Sequence, residues 1–180
     1  MFRDIRRGRQ ALPEAESLAI LERGSHGVLA VLGDGGYPYA VPLNYVYEGG
    51  AVYFHCARAG HKYDAVMACP RASFCVIDRS DVVPEDYSTN FRSVIAFGEV
   101  REVTDEAAKR RAIERLALKY APDDSEANRA AAIDREWGAL CVLELRIEHL
   151  SGKESTALAK ERAKAEDELK RTEAKLQNEK

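Results

Sequence analysis

Between residues 27 and 56, three apolar stretches are joined by connections of only a few residues, each containing glycine. The stretch 27–32 is followed by Gly33-Asp34-Gly35-Gly36, and the stretch 37–47 by a turn at Gly49-Gly50 that leads into 51–56. Parallel strands need a crossover of about a dozen residues or more, so connections this short predict antiparallel neighbours. Further strands are expected at 72–77, 92–104 and 140–150. In the last, Leu140, Val142, Leu143, Leu145 and Ile147 work against Glu144, Arg146 and Glu148, the pattern of a half-exposed antiparallel strand. Gly98 inside 92–104 marks a bulge or a barrel corner.

Helical signals are fewer. Pro13 and Gly24 bracket a short helix over 13–23, and Cys69-Pro70 closes one over 61–68. Asp105 and Glu106 stand where a first helical turn favours acids. Ala108, Ile113, Leu116, Ala117 and Tyr120 then recur at helical spacing until Pro122, and 126–136 is a second, weaker helix. The polar stretch 78–90 reads as a loop. The expected fold is mainly β: a sheet closing into a barrel, with helices packed outside.

The chain has 180 residues, enough for one well-buried domain. We divide it into a barrel domain, 1–152, and a charged helical tail, 153–180. In the tail, Leu158, Ala165, Leu169 and Leu176 form the one stripe, which reads as a solvated helix. Net charge is −3, which gives no global basic field for nucleic acid or anionic lipid. Apolar runs such as 41–46 are too short to span a bilayer, and the basic opening MFRDIRRGRQ is unlike a signal peptide. A soluble, cytoplasmic protein is expected. Cys56, Cys69, Cys75 and Cys141 show neither CxxC nor zinc-site spacing, so they read as reduced, packed thiols with no metal.

The chemistry concentrates in 37–66. Arg58-Ala59-Gly60 leads to His61-Lys62 at a helix start, where free backbone N–H groups and a cation suit an anion such as phosphate. Pro42 lies inside a strand yet cannot donate to a ladder, so the strand is an edge or faces something other than a strand. His55 shares a strand face with Tyr53, Cys56 has no paired base, and His26 and His149 read as structural.

The sequence resembles the pyridoxamine-phosphate-oxidase-like flavoproteins, and more closely their nitroimidazole-resistance branch. The likeness rests on MFRDIRR, GYPYAVPLNYVY, VYFHCARAGHKYD, RASFCV, YSTNFRSVIAFGEV and WGALCVLELRIEHLSGK, in family order over residues 1–153. It implies an FMN-binding split barrel working as a homodimer with FMN at the subunit interface. The strand at Val41, Pro42, Leu43 and Asn44 would hold the isoalloxazine edge through its backbone. His55, Cys56, His61 and Lys62 would hold the phosphate and ribityl chain, and the partner strand would contribute at Arg92 and Ser93. Two positions depart from the oxidases: Cys56 replaces a hydroxyl residue, and His61-Lys62 replaces Arg-Lys. Trp137 would be a core or interface residue, or pack near the ring.

The implied activity is that of an FMN-dependent oxidoreductase reducing small electron-poor molecules such as nitroimidazoles, with NAD(P)H as a possible donor and His55 beside the flavin as the catalytic residue. A non-catalytic flavin carrier or sensor is the alternative. A third reading is a heme-binding protein on the same scaffold, with His55 or His61 as axial ligand. Oxidase activity on pyridoxamine phosphate is not expected, because the arginine- and tryptophan-rich substrate segment is replaced by the charged tail.

Overall fold

The computed structural model describes residues 2–178, apart from the side chains of residue 173 and of 176–178. Seven strands form one sheet: β1 (His26–Leu32), β2 (Pro38–Asn44), β3 (Val46–Glu48), β4 (Ala51–Ala57), β5 (Arg71–Val83), β6 (Ser88–Glu102) and β7 (Leu140–Glu154). Their order is β2-β1-β5-β6-β7-β4-β3, and every pairing is antiparallel. β2 and β3 therefore lie at opposite edges, yet only Tyr45 separates them in the chain. Asn44 and Val46 are two Cα steps apart, at most about 7 Å, so the sheet must curl until its two edges nearly meet. That curl is the split barrel.

The stretch 37–47, expected as one strand, is thus cut at Tyr45 into strands belonging to the two edges. Tyr45 is fully buried, and its hydroxyl donates to the Leu21 carbonyl at 2.8 Å. Phe54, Phe74, Leu29, Val52, Leu143 and Leu145 fill the barrel around it, together with Ile20 and Leu21. The last two lie on α1 (Glu14–Arg23), which begins after Pro13 and stops at Gly24.

The segment 78–90 is not a loop. β5 continues to Val83, a 3-10 turn spans Pro84–Asp86, and β6 begins at Ser88, so the two strands make a long hairpin. Its strands are exposed on both faces and lack apolar alternation, which is the signal the sequence reading relied on. Gly98 does sit at a bulge. Register slips between Phe97 and Gly98 so that Glu148 is the extra residue, and a Cβ on Gly98 would meet the Arg146 carbonyl oxygen.

α2 (His61–Ala68) packs on β1 and β6. α3 (Glu106–Tyr120) is capped by the Asp105 carboxylate, which accepts from the Ala108 N–H at 2.7 Å. With α4 (Glu126–Glu136), it covers the outside of β3, β4 and β7 through Ile113, Leu116 and Ile133. Trp137 belongs to this layer: its Nε1 donates to Glu106, and the buried Lys109 ammonium lies 4.0 Å from its ring centroid.

α5 (Thr156–Asn178) is solvated along most of its length, but its start is held by the barrel. Leu158 is buried, and Gln10 donates to the Thr156 hydroxyl at 2.8 Å. The Glu154 carboxylate, with no exposed surface, accepts from Arg92 at 3.0 Å and Arg162 at 2.7 Å. Ala165 and Leu169 are exposed, and the side chain of Leu176 lies outside the described residues. Among the described residues no helix is long and apolar enough to cross a membrane.

Candidate functional site

β2 is an edge strand, which is where a residue without an N–H is tolerated. Alternation turns Tyr39, Val41 and Leu43 towards the core and leaves Pro38, Ala40, Pro42 and Asn44 on the exposed outer face. Pro42 starts a cross-sheet row that continues through Val28, Cys75, Ile95 and Ser151. Ser93 lies on the same outer face, in the neighbouring row, between Ile77 and Lys153. Val28 and Ile77 are large apolar side chains left exposed there. Arg92 turns the other way. Besides Glu154 it lies 3.6 Å from Glu16 and 4.0 Å from Asp78, and its buried Nε has no partner.

Because the barrel closes at Tyr45, the end of β2 meets the outer face of β4. Asn44 and His55 line one cavity of about 500 Å³, walled on its far side by Ile113, Leu116, Ile133 and Leu140. Helical periodicity identified the apolar face of α3, but a sequence pattern cannot show that two helices stand far enough off the sheet to leave a space. Tyr120, another wall of this cavity, also bonds the crossover: its hydroxyl accepts from the Tyr45 N–H at 2.9 Å, and its one hydrogen is shared between the Ser25 carbonyl and the Tyr45 carbonyl, the latter at 2.9 Å. Surrounding protein, and secondarily the Lys62 ammonium, hold the His55 imidazole below its ordinary pKa. A neutral imidazole carries one N–H donor and one acceptor into the cavity.

Cys56 points into the barrel, directly opposite Cys141. Burial raises the Cys56 pKa against a counteracting pull from Lys62, and burial with the neighbouring thiol pushes Cys141 up to about 12. Both thiols stay protonated at neutral pH, so neither is a ready nucleophile.

At the start of α2, Gly60 takes φ 98°, and no side chain caps the first turn. That φ favours glycine, and the uncapped turn leaves N–H donors facing outward. The His61 ring stacks on Tyr39 at 4.1 Å, and its Nε2 accepts from the Asp34 N–H at 3.3 Å. It thereby ties α2 to the β1–β2 turn. Lys62 has no carboxylate partner among the described residues. An uncommitted cation at an uncapped helix start has the donor chemistry of a phosphate cradle.

A polar cluster beside Cys141 escaped the sequence reading. Arg58 and Tyr63 each donate to Glu102 at 2.7 Å, and these contacts, the tyrosine's first, keep the Glu102 carboxyl below its usual range against opposing burial. Its members come from β4–α2 and the end of β6, 44 and 39 positions apart, with no local signal joining them. Among the described residues, no group of three or more His, Cys, Asp or Glu is arranged to hold a metal ion.

The structure therefore gathers Asn44 and His55 at one cavity and sets Pro42, Asn44 and Ser93 on the outer face of the sheet. Lys62 stands close enough to His55 and Cys56 to influence both, while Val41, Leu43 and Arg92 point inward.

The family model "Pyridoxamine 5'-phosphate oxidase" matches residues 13–154. No curated protein matches the sequence. Among solved structures, a conserved hypothetical protein of Mycobacterium tuberculosis is similar at TM-score 0.74 and 18% identity, over 87% of this chain and 92% of that one. A candidate 5-nitroimidazole antibiotic resistance protein of Bacteroides thetaiotaomicron is similar at TM-score 0.66 and 20% identity, over 79% and 85%. A flavocytochrome of Azotobacter vinelandii is similar at TM-score 0.67 and 24% identity, over 84% and 72%. At these identities the likeness is one of fold.

Proposed function

Since the chain belongs to the pyridoxamine 5'-phosphate oxidase family, we propose that it is a cytoplasmic, homodimeric FMN-binding oxidoreductase that reduces small electron-poor molecules of the nitroimidazole kind, with NAD(P)H as donor. The work is assigned to the barrel, 1–152, and the segment 153–180, which ends β7 and carries α5, is its extension. The observation that carries this reading is the meeting, at the barrel's closure, of the outer face of β2, the end of β4 and the uncapped start of α2.

In this reading the first-turn N–H groups of α2 and Lys62 hold the phosphate. His61, tied to the β1–β2 turn, fixes where that helix start stands and offers its remaining ring nitrogen. The backbone of 41–44 lies along the ring edge. Cys56, whose thiol is turned inward, contributes at most its backbone. The apolar row Pro42-Val28-Cys75-Ile95, uncovered by any helix, is the surface against which a second copy packs, bringing its Ser93 to the ring and its Arg92 near it. FMN, when bound, supplies the acceptance of hydride and delivery of electrons. The α3–α4 cavity positions a flat apolar substrate, and neutral His55 presents a hydrogen-bond donor to its polar edge.

Titration of the purified protein with FMN, followed by flavin fluorescence, tests the cofactor assignment. Replacing His61 and Lys62 together by Ala removes charge-assisted hydrogen bonds at about 1.5–3 kcal/mol each. FMN affinity is expected to fall by about 100-fold or more, and unchanged affinity removes the phosphate site. Turnover of NAD(P)H with a nitroimidazole separates an enzyme from a carrier, and a Soret band in place of flavin absorbance moves the assignment to heme.

A further inference from the structure

Two surfaces outside the proposed flavin site carry opposite charge, and several of their charged side chains have no ion-pair partner among the described residues. The first is the distal part of the β5–β6 hairpin. β5 pairs with β1 only over Ser73, Phe74 and Cys75, and β6 leaves β7 at Arg92. Beyond the bulge at Asp78, five pairs run from Arg79↔Arg92 to Val83↔Ser88; Arg92 still pairs with Glu154 and the Phe91 carbonyl accepts from the Ser155 N–H at 2.8 Å, while the outer three, Asp81↔Asn90 to Val83↔Ser88, have no third strand. Three such pairs reach roughly 10 Å, and a two-stranded ribbon is marginally stable alone in water. Its tip nevertheless exposes Tyr87 completely and most of Val82. Beside them stand Asp81, Glu85 and Asp86. Arg79 pairs with Asp81, while Glu85 and Asp86 have no ion-pair partner among the described residues.

The second surface is a groove of about 570 Å³ between the 3-10 turn Gly8–Gln10 and the first turns of α5. Its floor includes the methyls of Ala159 and Ala163, and its cations are Arg7, Arg9, Lys160 and Arg162, with no carboxylate in the lining. Arg162 is committed to Glu154 and Glu166, whereas Arg7, Arg9 and Lys160 have no carboxylate partner among the described residues. In a chain of net charge −3, this is a local reversal of sign.

We infer that the acidic, apolar tip of the β5–β6 arm of one copy seats in the basic groove between the N-terminal turn and α5 of a second copy. Charge matches across the contact, carboxylates at 85 and 86 against Arg7, Arg9 and Lys160, and each side brings apolar surface: Val82 and Tyr87 for the tip, Ala159 and Ala163 for the groove. Within its own chain only the base of the ribbon meets α5, where the Ser155 N–H donates to the Phe91 carbonyl at 2.8 Å, and the tip residues Val82 and Tyr87 stay exposed. The arm also springs from the uncovered sheet face, since Ile77, exposed on that face, immediately precedes the bulge where the ribbon begins. Under two-fold symmetry both arms exchange, so one contact is made twice. This inference rests on the homodimer of the proposed function and adds how its subunits lock.

The test is a charge swap read by dimer dissociation on dilution, for example in sedimentation equilibrium. E85K/D86K and R7E/R9E are each expected to weaken the dimer by about 10- to 100-fold. All four changes in one chain restore it to within about 3-fold of the natural protein. V82S/Y87S, which removes the apolar half of the tip without changing charge, weakens it by a similar factor, and thermal midpoints stay near that of the natural protein. A dimer indifferent to all three variants, or losses that add instead of cancelling in the swap, overturns the arm contact while leaving the dimer and its flavin site standing. A natural protein that is monomeric at micromolar concentration overturns both. Binding of a short oligonucleotide to the groove, abolished by R7E/R9E with the dimer unmoved, also overturns the contact and assigns the groove to a nucleic acid.

Discussion

Tyr45 and Tyr87 both stand where the chain passes from one strand to the next, and they occupy opposite physical extremes. Tyr45 has no exposed surface. Its backbone N–H donates to the Tyr120 hydroxyl, whose hydrogen its carbonyl shares with that of Ser25, its own hydroxyl is bonded to Leu21, Phe74 meets its ring edge-on at 4.9 Å, and the Lys119 ammonium stands 4.2 Å over its face. Tyr87 is 100% exposed and takes φ 46°, a left-handed conformation unfavourable for an aromatic residue. Every polar group of Tyr45 is used within the chain, and the Tyr87 side chain uses none. The crossover is therefore where this chain concentrates its folding free energy, and the arm is where it leaves surface for something outside itself.

The largest test of that contrast is Tyr45→Ala. It empties an aromatic volume from the barrel centre and strands the Leu21 carbonyl, and a loss of about 3–5 kcal/mol is expected in urea unfolding. Because the residue also sets the distance between Asn44 and the outer face of β4, flavin content should fall with stability. A smaller loss probes the root of the arm. Glu154→Gln keeps the shape of the side chain but removes the charge facing Arg92 and Arg162, leaving two cations and the already unpartnered Arg92 Nε in poor company. About 2–3 kcal/mol is expected, within the range for losing one partner of a buried ion pair after allowing for the part-exposed arginines. If Glu154→Gln costs as much as Tyr45→Ala, folding free energy is not concentrated at the crossover, and the contrast fails.

What the sequence disclosed follows the same division. Gly-containing short turns and alternating apolar residues gave the antiparallel sheet, α2 at its observed bounds and the bulge at Gly98, because each is set by neighbours in the chain. Tyr45 could not be distinguished from its flanking residues. The alternation of Val41, Leu43 and Tyr45 continues smoothly through it, and the switch of edges is fixed by Tyr120, 75 positions away. The ribbon was hidden for the converse reason: strands wet on both faces carry no alternation, and Asp, Ser and Pro there read as loop. At the site, Pro42 declared an edge strand and Gly60-His61-Lys62 a helix start, both local facts. The cavity beside His55 and the cluster at Glu102 join distant segments, and only the packed barrel makes them neighbours.

The smallest expected effect lies at the tip itself. Tyr87→Gly relieves a left-handed aromatic residue, a gain of about 1 kcal/mol, but glycine also widens the unfolded ensemble by about 0.5–1 kcal/mol. The two nearly cancel, so the urea midpoint should move by no more than about 0.5 kcal/mol in either direction, although an entire aromatic side chain has gone. Dimer dissociation should respond where folding does not, because the ring deleted is surface the arm presents outward. A substitution that shifted unfolding by several kcal/mol with association untouched would mean that Tyr87 packs within its own chain in solution, and the distinction between the two tyrosines would be lost.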